Sequence, residues 1–237
     1  MAQYIYGKNL ILQRLKSQAP IHKLFLTQKN FDAYQSLIKK SKTAYEIVSM
    51  QKLDKLVKGV HQGIVASIEA YKTYSLEELL ETIDLSRQDN IIVLCDQLED
   101  PHNLGAILRT ADAVGAAGVI IGKHRSIGLT QTVAKVSTGA IETVPVSEVT
   151  NLANSCAFLK QQGFWIIGAD NDETVDYRQM PKDRNLVLVV GSEGKGISPL
   201  VKKQCDYLVK IPMYGTVTSL NVSVATGILL YELIRDK

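Results

Sequence analysis

Residues 91–116 read IIVLCDQLEDPHNLGAILRTADAVGA, and the order of patterns within them decides the fold class. IIVLCDQ (91–97) reads as a near-continuous apolar strand of the kind buried on both faces of a parallel sheet. Pro101 and Gly105 then bracket Asn103 at the start of a helical stretch. Its apolar stripe is Leu104, Ile107, Leu108, Ala111 and Val114. Arg109 lies off that stripe, about 140° around the helix from Leu104. It is either a surface arginine or a guanidinium aimed at a phosphate or carboxylate, whose two oxygens fit its planar fork.

The same strand-then-helix alternation continues outward. GVIIG (118–122), ETVPV (142–146), FWIIGAD (164–170) and LVLVVG (186–191) read as strands. LTQTVAKVSTGA (129–140), VTNLANSCAFLKQQG (149–163) and SLNVSVATGILLYELIRD (219–236) read as helices. The pattern predicts an α/β domain, a parallel sheet flanked by helices. Towards the N-terminus a smaller α/β unit alternates GKNLILQRLK, FDAYQSLIKK and QKLDKLVKG as helices with KLFLT, YEIVSM and GIVASIEAY as strands. The polar, acidic stretch YKTYSLEELLETIDLSRQDN (71–90) reads as one bridging helix. The organisation expected is a first domain over 1–72, a linker over 73–89 and a second domain over 90–237.

With 46% hydrophobic and 22% charged residues, the 237-residue chain has ample material for a core. No apolar run approaches the ~20 residues of a membrane helix, and the N-terminus lacks a signal-peptide pattern, so a cytoplasmic protein is expected. Cys95, Cys156 and Cys205 are too scattered for a disulfide framework or a zinc site. His22, His61, His102 and His124 have no metal-ligand spacing either, and no metal is expected. The net charge of +3 hides an asymmetry. Residues 1–75 hold 12 Lys and Arg against 4 Asp and Glu, whereas the rest holds 15 against 20. A basic front module points to nucleic acid. Lys39, Lys40 and Lys42 form one cluster, and Lys8, Arg14 and Lys16 crowd the first helix.

In parallel sheets, ligands sit beyond the carboxyl ends of the strands. Three loops there carry unusual polar chemistry: DQLEDPHNLGAILR, GSEGKGIS and IPMYGTVTSLN. In the second, Gly191, Gly194 and Gly196 follow a strand directly, which allows a tight turn and close approach of backbone to a ligand. It is not a nucleotide phosphate loop, because Ile197 rather than Lys follows Gly196, and Pro199 stands where a dinucleotide motif needs glycine. Glu193 places a carboxylate between the glycines. In the third loop Ser219 is expected to cap the last helix, whose stripe includes Leu220, Val224, Ile228 and Leu229. Asn221, a poor helix former, needs another reason, and a hydrogen-bonding site at the helix mouth accounts for both residues.

NLGAILRTADAVGA, VGSEGKGIS and IPMYGTVTSLNVSVATGILLYE closely resemble, in this order, the three motifs of the SpoU/TrmH family of RNA methyltransferases in the SPOUT superfamily. The first module, with YGKNLILQRL and HQGIVA, is similar to the L30e/L7Ae-like substrate-binding domain that precedes ribosomal RNA members of that family. The resemblance implies a deep trefoil knot at the C-terminus, a homodimer formed through the knot region, and S-adenosylmethionine as cofactor. It implies methyl transfer to a ribose 2′-hydroxyl in RNA, with a guanosine of 23S ribosomal RNA ahead of transfer RNA. A non-catalytic RNA-binding or ribosome-assembly factor is the alternative from another class. By the same resemblance Arg109, Asn103, Glu193, Ser219 and Asn221 are catalytic candidates. Thr138, Gly139, Gly191, Glu193, Gly194, Ile211, Met213, Ser219 and Leu220 are cofactor-binding candidates. Lys8, Arg14, Lys16, Lys39, Lys40, Lys42 and Arg109 are candidates for RNA. The sulfonium methyl is already activated, whereas the ribose hydroxyl is mostly protonated at neutral pH. Arginine also stays protonated, so its expected part is to grip a phosphate and stabilise the forming alkoxide.

Overall fold

Three inner strands of the large sheet in this protein are built from apolar residues buried at every position. A computed structural model describes residues 2–170, 175–192 and 194–236. They fall into two compact units, Met1–Tyr71 and Lys72–Lys237.

The first unit runs β1 (Ala2–Tyr6), α1 (Lys8–Lys16), β2 (Lys23–Leu26), α2 (Gln28–Ser41), β3 (Tyr45–Ile47), α3 (Met50–Leu56) and β4 (Ile64–Glu69). Its sheet has the order β1-β4-β2-β3, with β4 antiparallel to both neighbours and β2 parallel to β3. Ile5, Ile11, Leu15, Leu24, Leu26, Ile38, Leu53 and Ile64 fill its core. Strand β1 is an addition to the elements expected from sequence. It is an edge strand whose paired residues in β4 lie 59 to 67 positions on, beyond the reach of local pattern.

The second unit runs α4 (Leu76–Glu81), β5 (Ile91–Cys95), α5 (Pro101–Ala113), β6 (Gly118–Gly122), α6 (Gln131–Val136), α7 (Ala140–Thr143), β7 (Val146–Val149), α8 (Leu152–Gln161), β8 (Trp165–Ala169), β9 (Leu186–Val190), α9 (Pro199–Lys202), β10 (Tyr207–Val209) and α10 (Val222–Leu233). A 3₁₀ turn at Tyr177–Gln179 precedes β9. The six strands take the order β10-β8-β9-β5-β6-β7, and every pairing is parallel. Strands β5, β6 and β9 are buried at all five positions. At about 1.5–3 kcal/mol for each large apolar side chain removed from water, this is the main stabilising layer.

Four expectations are corrected. Residues 73–89 are part of the second unit rather than a linker: Leu76, Leu79 and Leu80 enter its core, and Tyr74 bridges Ser147. The helix there is only six residues long, opened by a Ser75/Glu78 capping box, because its apolar spacing ends at Leu80. The stretch 129–140 is two helices, broken where Thr138 (φ 49°) and Gly139 (φ 103°) turn left-handed. Glu142 and Thr143, expected in a strand, belong to α7, and β7 begins only after Pro145. Among the described residues no helix is long and apolar enough to cross a membrane, and no group of three His, Cys, Asp or Glu is placed to hold a metal.

Candidate active site

The register of the central strands sets two loops side by side. Cys95 pairs with Val190, so the chain leaves β5 and β9 at the same level. The Asp96 backbone N–H donates to the Val190 carbonyl (2.8 Å), and the buried Asp96 carboxylate accepts the Ser198 backbone N–H at 2.6 Å. A charged acceptor on a backbone donor is among the stronger hydrogen bonds available to a loop. Burial, and after it the Asp96 charge, push the Cys95 thiol up to about 12. Asp96 was not among the sequence candidates; its only signal is an acid ending an apolar strand.

The glycine turn folds back on itself. The Gly196 N–H donates to the Ser192 carbonyl (2.9 Å), and a Cβ on Gly191 would lie 2.1 Å from the Gly196 carbonyl carbon. Only a residue without a side chain fits there. The C-terminal segment returns from the edge strand β10 to the same place. Together the two loops enclose a cavity of about 330 Å³. Of the cofactor-binding candidates, Gly191, Gly194, Ile211, Met213, Ser219 and Leu220 line it. Ser192, Thr218, Lys195 and Asp170 line it too and were missed. Asp170 is paired to Lys202 at 2.9 Å. Thr138 and Gly139 do not line the cavity; they form the break between α6 and α7. Glu193 lies outside the described residues.

The first motif reaches the site through a side-chain bridge. Asp100 caps α5 by accepting the His102 backbone N–H (2.8 Å), and Pro101 takes the first helical position. Gly105 lets α6 pack closely, since a Cβ there would sit 2.6 Å from the Val136 side chain. Asn103, buried in the first turn, accepts a hydrogen bond from the Asn221 side-chain amide at 2.9 Å. Asn221, not Ser219, caps α10: its side-chain oxygen accepts the Ser223 backbone N–H (3.0 Å) and the Ser223 hydroxyl (2.6 Å). Ser219 is exposed and the helix begins three residues later, because Asn221 is the non-helical residue directly before the first turn. The stripe of α10 also differs, with Val222, Thr226, Leu229, Leu230 and Leu233 buried and Val224 half-exposed.

Arg109 stands on the exposed side of α5, with no ion-pair partner among the described residues. It does not line the cavity, and neither do Asn103 and Asn221. In the first unit Lys16, Lys39, Lys40 and Lys42 are exposed and Lys8 partly so. Lys23 and Lys52 are tied to Glu46 (2.8 and 2.5 Å), whose carboxyl they hold at about 2. Arg14 is corrected from RNA candidate to structural residue. It is buried, donates from Nε to the Pro20 carbonyl (3.1 Å) and lies 5.7 Å from the Tyr71 ring centre. Position 14 falls on the inner face of α1 with Leu10, Ile11 and Leu15, which a count of basic residues does not reveal.

Comparison with known proteins matches this arrangement over both units. A model described as the SpoU rRNA Methylase family covers residues 90–231, and one described as RNA 2′-O ribose methyltransferase substrate binding covers residues 4–74. YacO of Bacillus subtilis (strain 168), named for the TrmH family of tRNA/rRNA methyltransferases, is 46% identical over 238 residues, covering 99% of this chain and 96% of its own. A Staphylococcus haemolyticus relative named for the same family is 44% identical, covering 98% and 95%. The SpoU methyltransferase AviRb from Streptomyces viridochromogenes, solved in complex with AdoMet, has the same fold, with a TM-score of 0.84 at 24% identity over 99% of this chain and 90% of that one. The A. aeolicus TrmH/SpoU tRNA modifying enzyme is 36% identical, with a TM-score of 0.58 over 68% and 81%. Matched in this way along almost its whole length, the chain belongs to the SpoU/TrmH family of RNA methyltransferases.

Proposed function

We propose that this protein transfers the methyl group of S-adenosylmethionine to a ribose 2′-hydroxyl in RNA, at a guanosine of large-subunit ribosomal RNA. The observation that carries the reading is the convergence of the turn at Gly191–Gly196 and the segment at Ile211–Val222 on one cavity, with Asn221 tying that segment to the helix of Arg109. The cavity fits the cofactor: it falls in the size range of small-molecule sites, and Gly191, Gly194 and Gly196 line it without side chains. Gly191, Gly194, Ile211, Met213, Ser219 and Leu220 would hold S-adenosylmethionine, which when bound supplies an activated methyl carbon.

Arg109 then works on the RNA. Its exposed guanidinium grips the phosphate beside the target ribose and stabilises the 2′-alkoxide as it forms. The hydroxyl proton passes to that phosphate or to water. The Asn103–Asn221 bridge fixes the base of α5, so alignment of the sugar oxygen is set by packed helices rather than by a loose side chain. Glu193 and Ser219 are assigned supporting contacts in this reading. Exposed Lys16, Lys39, Lys40 and Lys42 bind the RNA backbone. We assign the cytoplasm as the place of action and keep the threaded trefoil path of the C-terminal segment as part of the proposal. A homodimer belongs to it as well: Val224 and Tyr231, two turns apart on α10, are exposed together with Tyr214 and Val217. A second reading, transfer RNA as substrate, is favoured by the likeness to the A. aeolicus tRNA modifying enzyme.

The test is transfer of labelled methyl groups into unmodified 23S ribosomal RNA and unmodified transfer RNA, with the modified nucleotide mapped. Label on a 2′-oxygen of ribosomal guanosine is expected, and label only in transfer RNA moves the assignment to the second reading. Cofactor binding without transfer to either RNA sinks the enzymatic reading. Arg109→Ala should lower the single-turnover rate by about 10²–10³ with unchanged affinity for S-adenosylhomocysteine. Near-normal rates in both Arg109→Ala and Arg109→Lys would remove Arg109 from the mechanism.

A further inference from the structure

The side-chain hydroxyl of Ser192 is out of contact with solvent and has no hydrogen-bond partner among the described residues, although its residue lines the cavity between the two loops. Buried hydroxyls without a partner are few in folded proteins, because the group has given up water and received nothing in return. The backbone that carries it is fixed, so only rotation about its own Cα–Cβ bond can turn the hydroxyl into the cavity. The Ser192 carbonyl is engaged by the Gly196 N–H at 2.9 Å, and Gly191, one residue before, is pressed against the Gly196 backbone. Asp96 holds the far end of the turn through Ser198. The turn is therefore braced at both ends around a hydroxyl that the protein leaves unanswered.

We infer that Ser192 is a direct ligand of the cofactor, and that its hydroxyl hydrogen-bonds the nucleoside half of S-adenosylmethionine. This rests on the cofactor reading given above and assigns to it a side chain beyond the backbone contacts. A serine hydroxyl both donates and accepts, which suits ribose hydroxyls and adenine nitrogens. The charged carboxylate and ammonium of the methionine half call for ionic or multiply bonded partners, which a single neutral hydroxyl does not provide. Lys195, exposed on the same turn, is the residue on this loop with the charge for a carboxylate.

The reading makes an uncommon pair of demands on one substitution. Ser192→Ala removes a group with no partner in the ligand-free protein, so melting of the ligand-free variant should match the wild type or rise. The same change should weaken S-adenosylhomocysteine about five- to tenfold, the range of one buried hydrogen bond. It should weaken methylthioadenosine, which keeps the nucleoside and lacks the amino acid, by the same factor. Calorimetric titration of both ligands, with thermal melting of the free proteins, measures all three. Wild-type affinity of Ser192→Ala for both ligands overturns the inference while leaving the cofactor site intact. A loss confined to S-adenosylhomocysteine overturns the assignment to the nucleoside. A fall in the melting temperature of the free variant makes the serine structural instead. Absence of S-adenosylhomocysteine binding by the wild type would bring down the proposed function itself, a separate result.

Discussion

Gly191→Ala isolates the close approach on which the cavity depends. The backbone at Gly191 lies outside the left-handed region, so alanine brings no torsional penalty. What it brings is overlap. The new Cβ would lie 2.1 Å from the Gly196 carbonyl carbon, 2.2 Å from its oxygen and 2.4 Å from the Ile197 nitrogen, where real Cβ atoms stay beyond 3.0 Å. All three are backbone atoms, and no rotamer change can relieve them. The turn must open by about 1 Å, against the Gly196–Ser192 and Ser198–Asp96 hydrogen bonds that close it. Overpacking of this kind costs about 1–3 kcal/mol, which lowers the melting temperature by roughly 3–10 °C for a unit of this size. Opening the turn also displaces one wall of the cavity, and a 1 Å misplacement near reacting groups can cost about 10² in rate. The assay is thermal melting beside calorimetric titration with S-adenosylhomocysteine, with Gly194→Ala as the comparison. Position 194 has φ 83° but open space around its would-be Cβ, so alanine there meets only backbone strain. The reasoning is refuted if Gly191→Ala melts and binds like the wild type, or if Gly194→Ala loses more affinity than Gly191→Ala.

Three other outcomes follow from the same geometry. Asn221→Ala removes both the cap of α10 and the bridge to Asn103, and denaturant unfolding should report a loss of about 1–2 kcal/mol, with a double-mutant cycle giving coupling between the two asparagines. Replacing Lys39, Lys40 and Lys42 together by Gln should flatten the dependence of RNA affinity on log salt by about 2, whereas Arg14→Gln should leave that slope alone and lower the stability of the first unit. Burial is the first cause that pushes the thiols of Cys95, Cys156 and Cys205 up to about 12 from 9.0. Raised folded values mean a stabilising contribution that is whole below pH 9 and is lost as the pH climbs towards 12. Unfolding free energies should therefore fall above pH 9, and Cys95→Ala should shed up to about 1.4 kcal/mol per pH unit of that slope.

Much of the molecule was legible from local pattern because its central strands are apolar on both faces, and such runs have no other stable place. The turn after β9 and the helix start at Pro101 were readable for the same kind of reason, since glycine spacing and proline geometry act over a few residues. What local pattern could not reach was anything decided by a distant partner. Asn221 rather than Ser219 caps the last helix, and its side chain also meets Asn103, 118 residues earlier. Arg14 looks like a surface cation in the chain and is a buried brace in the fold, because the contact with Pro20 and Tyr71 exists only once the first unit has closed. Leu76, Leu79 and Leu80 read as part of a polar connector until a core is present to receive them. Ser192 is one small residue in a glycine turn, and only the packed loops turn its hydroxyl into a buried group without a partner among the described residues. Periodicity and turn chemistry are properties of neighbours along the chain. Burial, pairing and the shape of a cavity are properties of neighbours in space, and these the tertiary structure alone decides.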